Sequence, residues 1–113
     1  MPAKLSHVIE FVADMERAVR FYRDIIGLPL KFQSPEWSEF ATGEITLALH
    51  PASDRTPAGK IELGFQVPDL QSWHADMTAK GVQFPTPPKR QDYGGMLAQF
   101  IDSEGTHVSV TAR

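Results

Sequence analysis

His7-Val8-Ile9-Glu10-Phe11-Val12-Ala13-Asp14-Met15 and Glu62-Leu63-Gly64-Phe65-Gln66-Val67-Pro68-Asp69-Leu70 carry one pattern twice. A shift of 55 positions sets Val12 on Val67, Asp14 on Asp69 and Met15 on Leu70. In each copy an apolar run ends in an acid placed to cap a helix. The same shift sets His7 on Glu62. Imidazole and carboxylate are both metal ligands, so a repeat opening with one on each copy points to a site shared between the copies.

Working outward, residues 5–12 read as a strand. Asp14 caps the helix that follows, and Glu16 in its first turn suits the helix dipole. Met15, Ala18, Val19, Tyr22, Ile25 and Ile26 recur at helical spacing and form one apolar stripe. Gly27 ends the helix in a left-handed cap, and Pro29 prevents its return. Strands follow at 29–33, 36–41 and 44–50, separated by Ser34-Pro35 and Thr42-Gly43. A polar linker spans 51–59. The pattern then restarts with a strand at 60–67 and a helix capped by Asp69, striped by Leu70, Trp73, His74 and Met77 and closed by Gly81. A short strand at 82–84 precedes Pro85, Pro87 and Pro88, which favour an extended surface loop. Strands at 96–102 and 106–112 are joined by Asp102-Ser103-Glu104-Gly105.

Each half therefore reads strand, helix, three strands: module one over about 4–50, module two over about 60–112. A half of this size buries its sheet face poorly alone, so the two are expected to pack as a single domain. The expected class is α+β, with helices outside a curved sheet and a concave face opposite them.

Composition narrows the function. Apolar content of 42 % and charged content of 22 % are ordinary for a globular domain. A net charge of -3 with no basic block argues against nucleic acid as a partner. No apolar run has the roughly 20 residues of a membrane span. The opening Met1-Pro2-Ala3-Lys4-Leu5-Ser6 has no apolar h-region, so no secretory signal is expected. The absence of cysteine excludes thiolate chemistry and fits a reducing cytoplasm. Any metal must take His, Asp, Glu or water, which suits Mg, Mn, Fe(II), Co, Ni or Zn.

Strand side chains alternate between faces. Leu47 and Leu49 belong under the helices, and Thr46, Ala48 and His50 opposite. Val108 and Val110 pack, while His107, Ser109 and Thr111 face the hollow. Leu63, Phe65 and Val67 pack, and Glu62 faces the hollow. Val8 and Val12 pack, and His7 faces the hollow. Alternation thus places His7, His50, Glu62 and His107 on one concave surface, a credible donor set for a divalent ion. Glu10 shares the parity of Val8 and Val12; a bulge, a partner for its charge or an edge position each accounts for it. Trp37, Tyr93, Gln99 and Ser109 are candidate pocket residues. His74, beside Trp73 on a helix, reads as structural. No nucleophile elbow is present.

The run Asp14-Met15-Glu16-Arg17-Ala18-Val19-Arg20-Phe21-Tyr22-Arg23-Asp24-Ile25-Ile26-Gly27-Leu28 and the opening His7-Val8-Ile9 resemble the vicinal oxygen chelate superfamily. It includes glyoxalase I, bleomycin-resistance proteins and extradiol dioxygenases. Val67-Pro68-Asp69-Leu70 and Asp102-Ser103-Glu104-Gly105 extend the resemblance over nearly the whole chain. It implies paired βαβββ modules forming a partly open barrel of mixed sheet, usually as a homodimer. It also implies four ligand positions in metal-using members. Two match His7 and Glu62; the other two fall on Ala48 and Ser109. His50 and His107 sit two residues from those vacant positions, a step of about 6–7 Å along a strand.

Two functions compete on these residues. One is a glyoxalase-like lyase or isomerase using Ni, Zn, Fe, Mn or Co, with His7 and Glu62 as ligands and His50 or His107 completing the shell or acting as general base. Dioxygenase chemistry would need two His and a carboxylate at other positions. The other is a metal-free protein of the bleomycin-resistance type that sequesters a small, partly aromatic compound. Ala48 and Ser109 favour the second; the retained His7 and Glu62 favour the first.

Overall fold

The computed structural model describes residues 2–113. Two compact units are present: residues 6–62, and residues 63–113 with the N-terminal segment through Leu5. Each contains a four-stranded mixed sheet with one helical element on it, so the expected α+β class and the two βαβββ modules are observed.

Module one runs β1 (Lys4–Val12), α1 (Met15–Arg20), β2 (Leu30–Gln33), β3 (Ser38–Ala41) and β4 (Thr46–Pro51). Its strand order is β2-β3-β4-β1, with β1 and β4 parallel and the other pairs antiparallel. Asp14 caps α1 as expected, accepting the Arg17 amide at 3.1 Å. One face of the sheet meets the helix through Val12, Val19, Phe40 and Leu49, with Met15, Tyr22 and Leu47 packed around them.

The second half of the apolar stripe behaves differently. Beyond Arg20 the helix widens into a π-helical turn, Phe21–Ile25, in which the Ile26 amide bonds the Phe21 carbonyl at 3.1 Å. The wider turn puts the helical phase out of step with the 3.6-residue spacing. Met15, Ala18, Val19 and Tyr22 remain on the core, whereas Ile25 is 73 % exposed and Ile26 is 53 % exposed. The expectation that both isoleucines are buried is thereby corrected. Gly27, at φ 85°, then ends the element in the left-handed conformation, and the Leu28 amide reaches back to the Tyr22 carbonyl at 2.9 Å.

The anomalous parity of Glu10 has its explanation in the same element. Glu10 does face the helix, and the Tyr22 hydroxyl donates to its Oε1 at 2.5 Å. That bond to a carboxylate, reinforced by burial, pushes the Tyr22 phenol up to about 12. A partner for the charge is therefore the correct alternative of the three.

Module two runs β5 (Ile61–Gln66), α2 (Leu70–Ala79), β6 (Thr86–Arg90), β7 (Met96–Ile101) and β8 (His107–Ala112). The strand order is β5-β8-β7-β6, with β5 and β8 parallel. Asp69 caps α2 by accepting the Ser72 amide at 3.2 Å and the Ser72 hydroxyl at 3.0 Å. Val67, Leu70, Trp73, Ala98 and Val110 form the core under α2. His74 is half-buried with its ring edge-on to Phe84, 4.5 Å between centroids, in keeping with a structural role.

Two expectations fail in module two. Leu63 is 41 % exposed, because the cluster under α2 reaches Phe65 and Val67 and stops there. The strand expected at 82–84 lies instead at Thr86–Arg90, in the proline-rich stretch read as a surface loop. The prolines are accommodated because β6 is the last strand of its sheet. Its pairing with β7 also shifts register between Thr86 and Lys89, where Pro87 and Pro88 stand.

The Tyr22–Glu10 bond yields a stability prediction. Tyr22→Phe leaves a half-buried carboxylate without its donor and should cost about 1–3 kcal/mol in urea denaturation. Tyr22→Phe/Glu10→Leu, which removes both polar partners, should recover at least half of that loss. Equal losses in the two variants would show that the bond contributes nothing.

Candidate functional site

The parallel register of β1 on β4 sets His7 beside Thr46, Ile9 beside Ala48 and Phe11 beside His50. On the other side of β4, Glu39 pairs with Ala48. These residues share the sheet face opposite α1, as alternation requires. That face is not a bare hollow. Ile9, Phe11 and Ala48 are buried there as a second apolar cluster, against which Trp37 and Ala52 pack.

Trp37 stands between two imidazoles. Its ring centroid lies 6.1 Å from that of His7 and 6.3 Å from that of His50, the latter edge-on. His50 also lies 5.2 Å from the Phe11 ring. Hydrogen bonds from both its backbone and its side chain hold the tryptophan. The Ser34 hydroxyl accepts its backbone amide at 3.0 Å, and its indole Nε1 donates to Glu39 Oε2 at 2.8 Å. Three residues singled out from the sequence, His7, Trp37 and His50, are thus brought together in module one.

Glu39 is the residue that sequence reading missed. Besides the indole, its carboxylate faces His7 Nε2 at 3.7 Å and Lys31 Nζ at 3.9 Å. It lies two residues from Trp37 on β3, and the alternation Trp37/Glu39 against Ser38/Phe40 was the available signal.

The electrostatics of His7 oppose one another. Burial of the ring lowers its pKa below the ordinary 6.5 and outweighs the negative charge of Glu39, which raises it. Lys31 adds a smaller lowering effect. His7 is therefore a neutral imidazole at neutral pH. The 3.7 Å separation from Glu39 is then too long for a hydrogen bond and is not an ion pair. The other ring nitrogen, Nδ1, lies 2.9 Å from the Ser6 hydroxyl. His50 is exposed, with Nδ1 2.8 Å from the Pro51 carbonyl, so its Nδ1 is the protonated nitrogen and Nε2 the acceptor at neutral charge.

The other candidates lie as follows. Glu62 is buried. In module two, Gln99 and the buried Ser109 are cross-strand partners, and Thr86 Oγ1 approaches Gln99 Oε1 at 3.4 Å. His107 is exposed at the start of β8 opposite Ile101. Tyr93 is 75 % exposed in the turn between β6 and β7.

The donor set can be compared with a divalent ion. Among the described residues, no three His, Asp or Glu side chains are grouped closely enough to hold one. Ala48 is fully buried in the apolar cluster, and both nitrogens of His7 face protein groups. The module-one face does not fit a metal as arranged.

Known proteins share the fold. Over 95 % of this chain and 96 % of the other, the chain is 24 % identical to the uncharacterized protein YraH of Bacillus subtilis (strain 168). It superposes on methylmalonyl-CoA epimerase from Mycobacterium tuberculosis with a TM-score of 0.78, at 20 % identity, covering 96 % of this chain and 87 % of that one. The structure described as NAD-dependent benzaldehyde dehydrogenase from Legionella pneumophila gives a TM-score of 0.77, also at 20 % identity, covering 98 % of both chains. These likenesses show a shared fold. Residues 4–110 match the profile of one family, and the chain belongs to the Glyoxalase/Bleomycin resistance protein/Dioxygenase superfamily.

Proposed function

We propose that the protein binds a small, planar, oxygen-bearing organic molecule on the module-one sheet face. The observation that carries this reading is the Trp37 indole, anchored by Glu39 and flanked by the His7 and His50 imidazoles. Indole supplies a stacking surface, and imidazole nitrogens accept from or donate to hydroxyl and carbonyl oxygens. Ile9, Phe11 and Ala48 supply a dry floor. Absence of cysteine fits action in a reducing cytoplasm.

A second reading is an isomerase or lyase that uses Ni, Zn, Fe, Mn or Co. It is favoured by His7 and Glu62 at the two module openings and by the likeness to an epimerase. Metal ligation would then require His7 to turn from its present partners, with Glu62 or His50 completing the shell. We derive no catalytic step from it.

Tryptophan fluorescence separates binding at this face from binding elsewhere. The chain has two tryptophans, and Trp73 is buried in the core under α2. Titration with hydroxybenzoates and short 2-oxo acids should quench the Trp37 signal. Trp37→Phe should abolish the change, and Trp37→Ala should weaken binding about tenfold, the equivalent of about 1.4 kcal/mol. Quenching that survives in Trp37→Phe would overturn the assignment. Elemental analysis of protein purified without chelator tests the second reading: about one equivalent of a divalent metal per chain would favour it over the first.

The state of His7 gives a further prediction. Its imidazole should titrate below 6.5 by NMR, and Glu39→Gln should move it lower still, since the carboxylate is the group that raises it. Because the folded value lies below the unfolded one, this group favours folding above pH 6.5. That contribution is lost as pH falls through the folded value. A rise in the His7 value on Glu39→Gln would contradict the placement of the carboxylate beside it.

A further inference from the structure

The Trp37 face has a charged edge. β2 is the outer strand of module one, and its pairing with β3 is irregular. Leu30 stands opposite Phe40 and Phe32 opposite Glu39, so two residues of β2 span one of β3. The extra residue is Lys31. Leu30 packs on the core under α1, so alternation turns Lys31 to the opposite face, where Glu39 lies. Bulges of this kind recur beside sites, where they aim a side chain.

The Lys31 ammonium lies 3.9 Å from Glu39 Oε1. A hydrogen-bonded ion pair is closer, at about 2.7–2.9 Å. Among the described residues the ammonium makes no hydrogen bond, and the side chain is 59 % exposed. Its charge still reaches the site, since it lowers the pKa of the His7 imidazole on the same face. Glu39 offers its two oxygens to different groups: Oε2 accepts from the Trp37 indole and Oε1 faces Lys31. One carboxylate therefore separates the stacking surface from a cation with three N–H donors to give.

We propose that Lys31 sets the charge of the ligand held on Trp37: building on the assignment of that face as a binding site, the ammonium receives the carboxylate of an aromatic acid whose ring lies on the indole. Lys31 then stands between two carboxylates, the fixed one of Glu39 and the one the ligand brings. A cationic ligand is the poorer occupant. It would have to share Glu39 with the indole N–H, and it would meet Lys31 as a like charge. A neutral ligand would gain the stacking surface and leave the ammonium in water.

Fluorescence titration of the full chain with 4-hydroxybenzoate, 4-hydroxybenzamide and 4-hydroxybenzylamine tests this. Near neutral pH the three carry a negative, no and a positive charge on the same ring. The acid should bind about fivefold more tightly than the amide, the scale of a solvent-exposed ion pair, and the amine should bind most weakly. Raising NaCl from about 20 mM to about 500 mM should erase most of the acid's advantage in the wild type. Lys31→Met should bring the acid to the affinity of the amide, because Glu39 still holds the indole, and Lys31→Arg should keep the preference. Acid and amide that bind alike, with quenching that Trp37→Phe abolishes, would overturn the role of Lys31 and leave the Trp37 face as the binding site. A preference for the acid that survives in Lys31→Met, or an amine that binds most tightly, would also overturn it. No quenching by any of the three would overturn both assignments.

Discussion

The parallel pairing of β1 with β4 decides what every side chain in module one can do. It sets Ile9 beside Ala48 and Phe11 beside His50, and the antiparallel pairing of β3 then adds Glu39 to the same face. A slip of one residue would exchange the two faces completely. In β1, His7 would then be driven under the helix and Val12 out of the core. Val12, Phe40 and Leu49 pack on one face and Ile9, Phe11 and Ala48 on the other, so each face of the sheet has its own cluster to hold.

Within that frame the polar groups are tied in pairs. Glu10 looks like an intruder on the helix face until Tyr22 is found above it. Glu39 looks like a surface acid until the indole of Trp37 is found to donate to it. Each carboxylate is half-buried, and each holds an aromatic side chain in place. The first fastens the helix to the sheet. The second fixes the plane against which a ligand would lie. The same loss of solvent that keeps His7 neutral makes the neighbouring carboxylate more effective as an anchor.

Much of this was legible in the residues. The strand-helix-three-strand order followed from two capped helices and from turns at Gly and Pro, and the faces of β1 and β4 followed from alternation. The misreadings have separate physical causes. Ile25 and Ile26 fit a 3.6-residue stripe, but a π-helical turn changes the phase, and nothing in the local spacing announces it. Pro87 and Pro88 argue against an interior strand and are silent about an edge. Leu63 alternates correctly, yet burial requires a helix long enough to reach it. At the site, His7 and His50 could be named because each lies on a strand of known parity, and Trp37 as an aromatic residue that could line a pocket. The indole–carboxylate bond could not, since alternation puts Trp37 and Glu39 on one face but leaves open the rotamers that bring their polar atoms together.

The proline pair in β6 has a consequence for the solubility of the protein. An outermost strand offers unpaired amides to any passing extended chain, and growth of sheet upon sheet begins at such places. In β6, two of five residues are imides and have no hydrogen to offer. The register shift beside them bends what remains of the edge. This border of module two therefore offers fewer amides for fibril-like extension, and Lys89 and Arg90 in the same strand add charge against it.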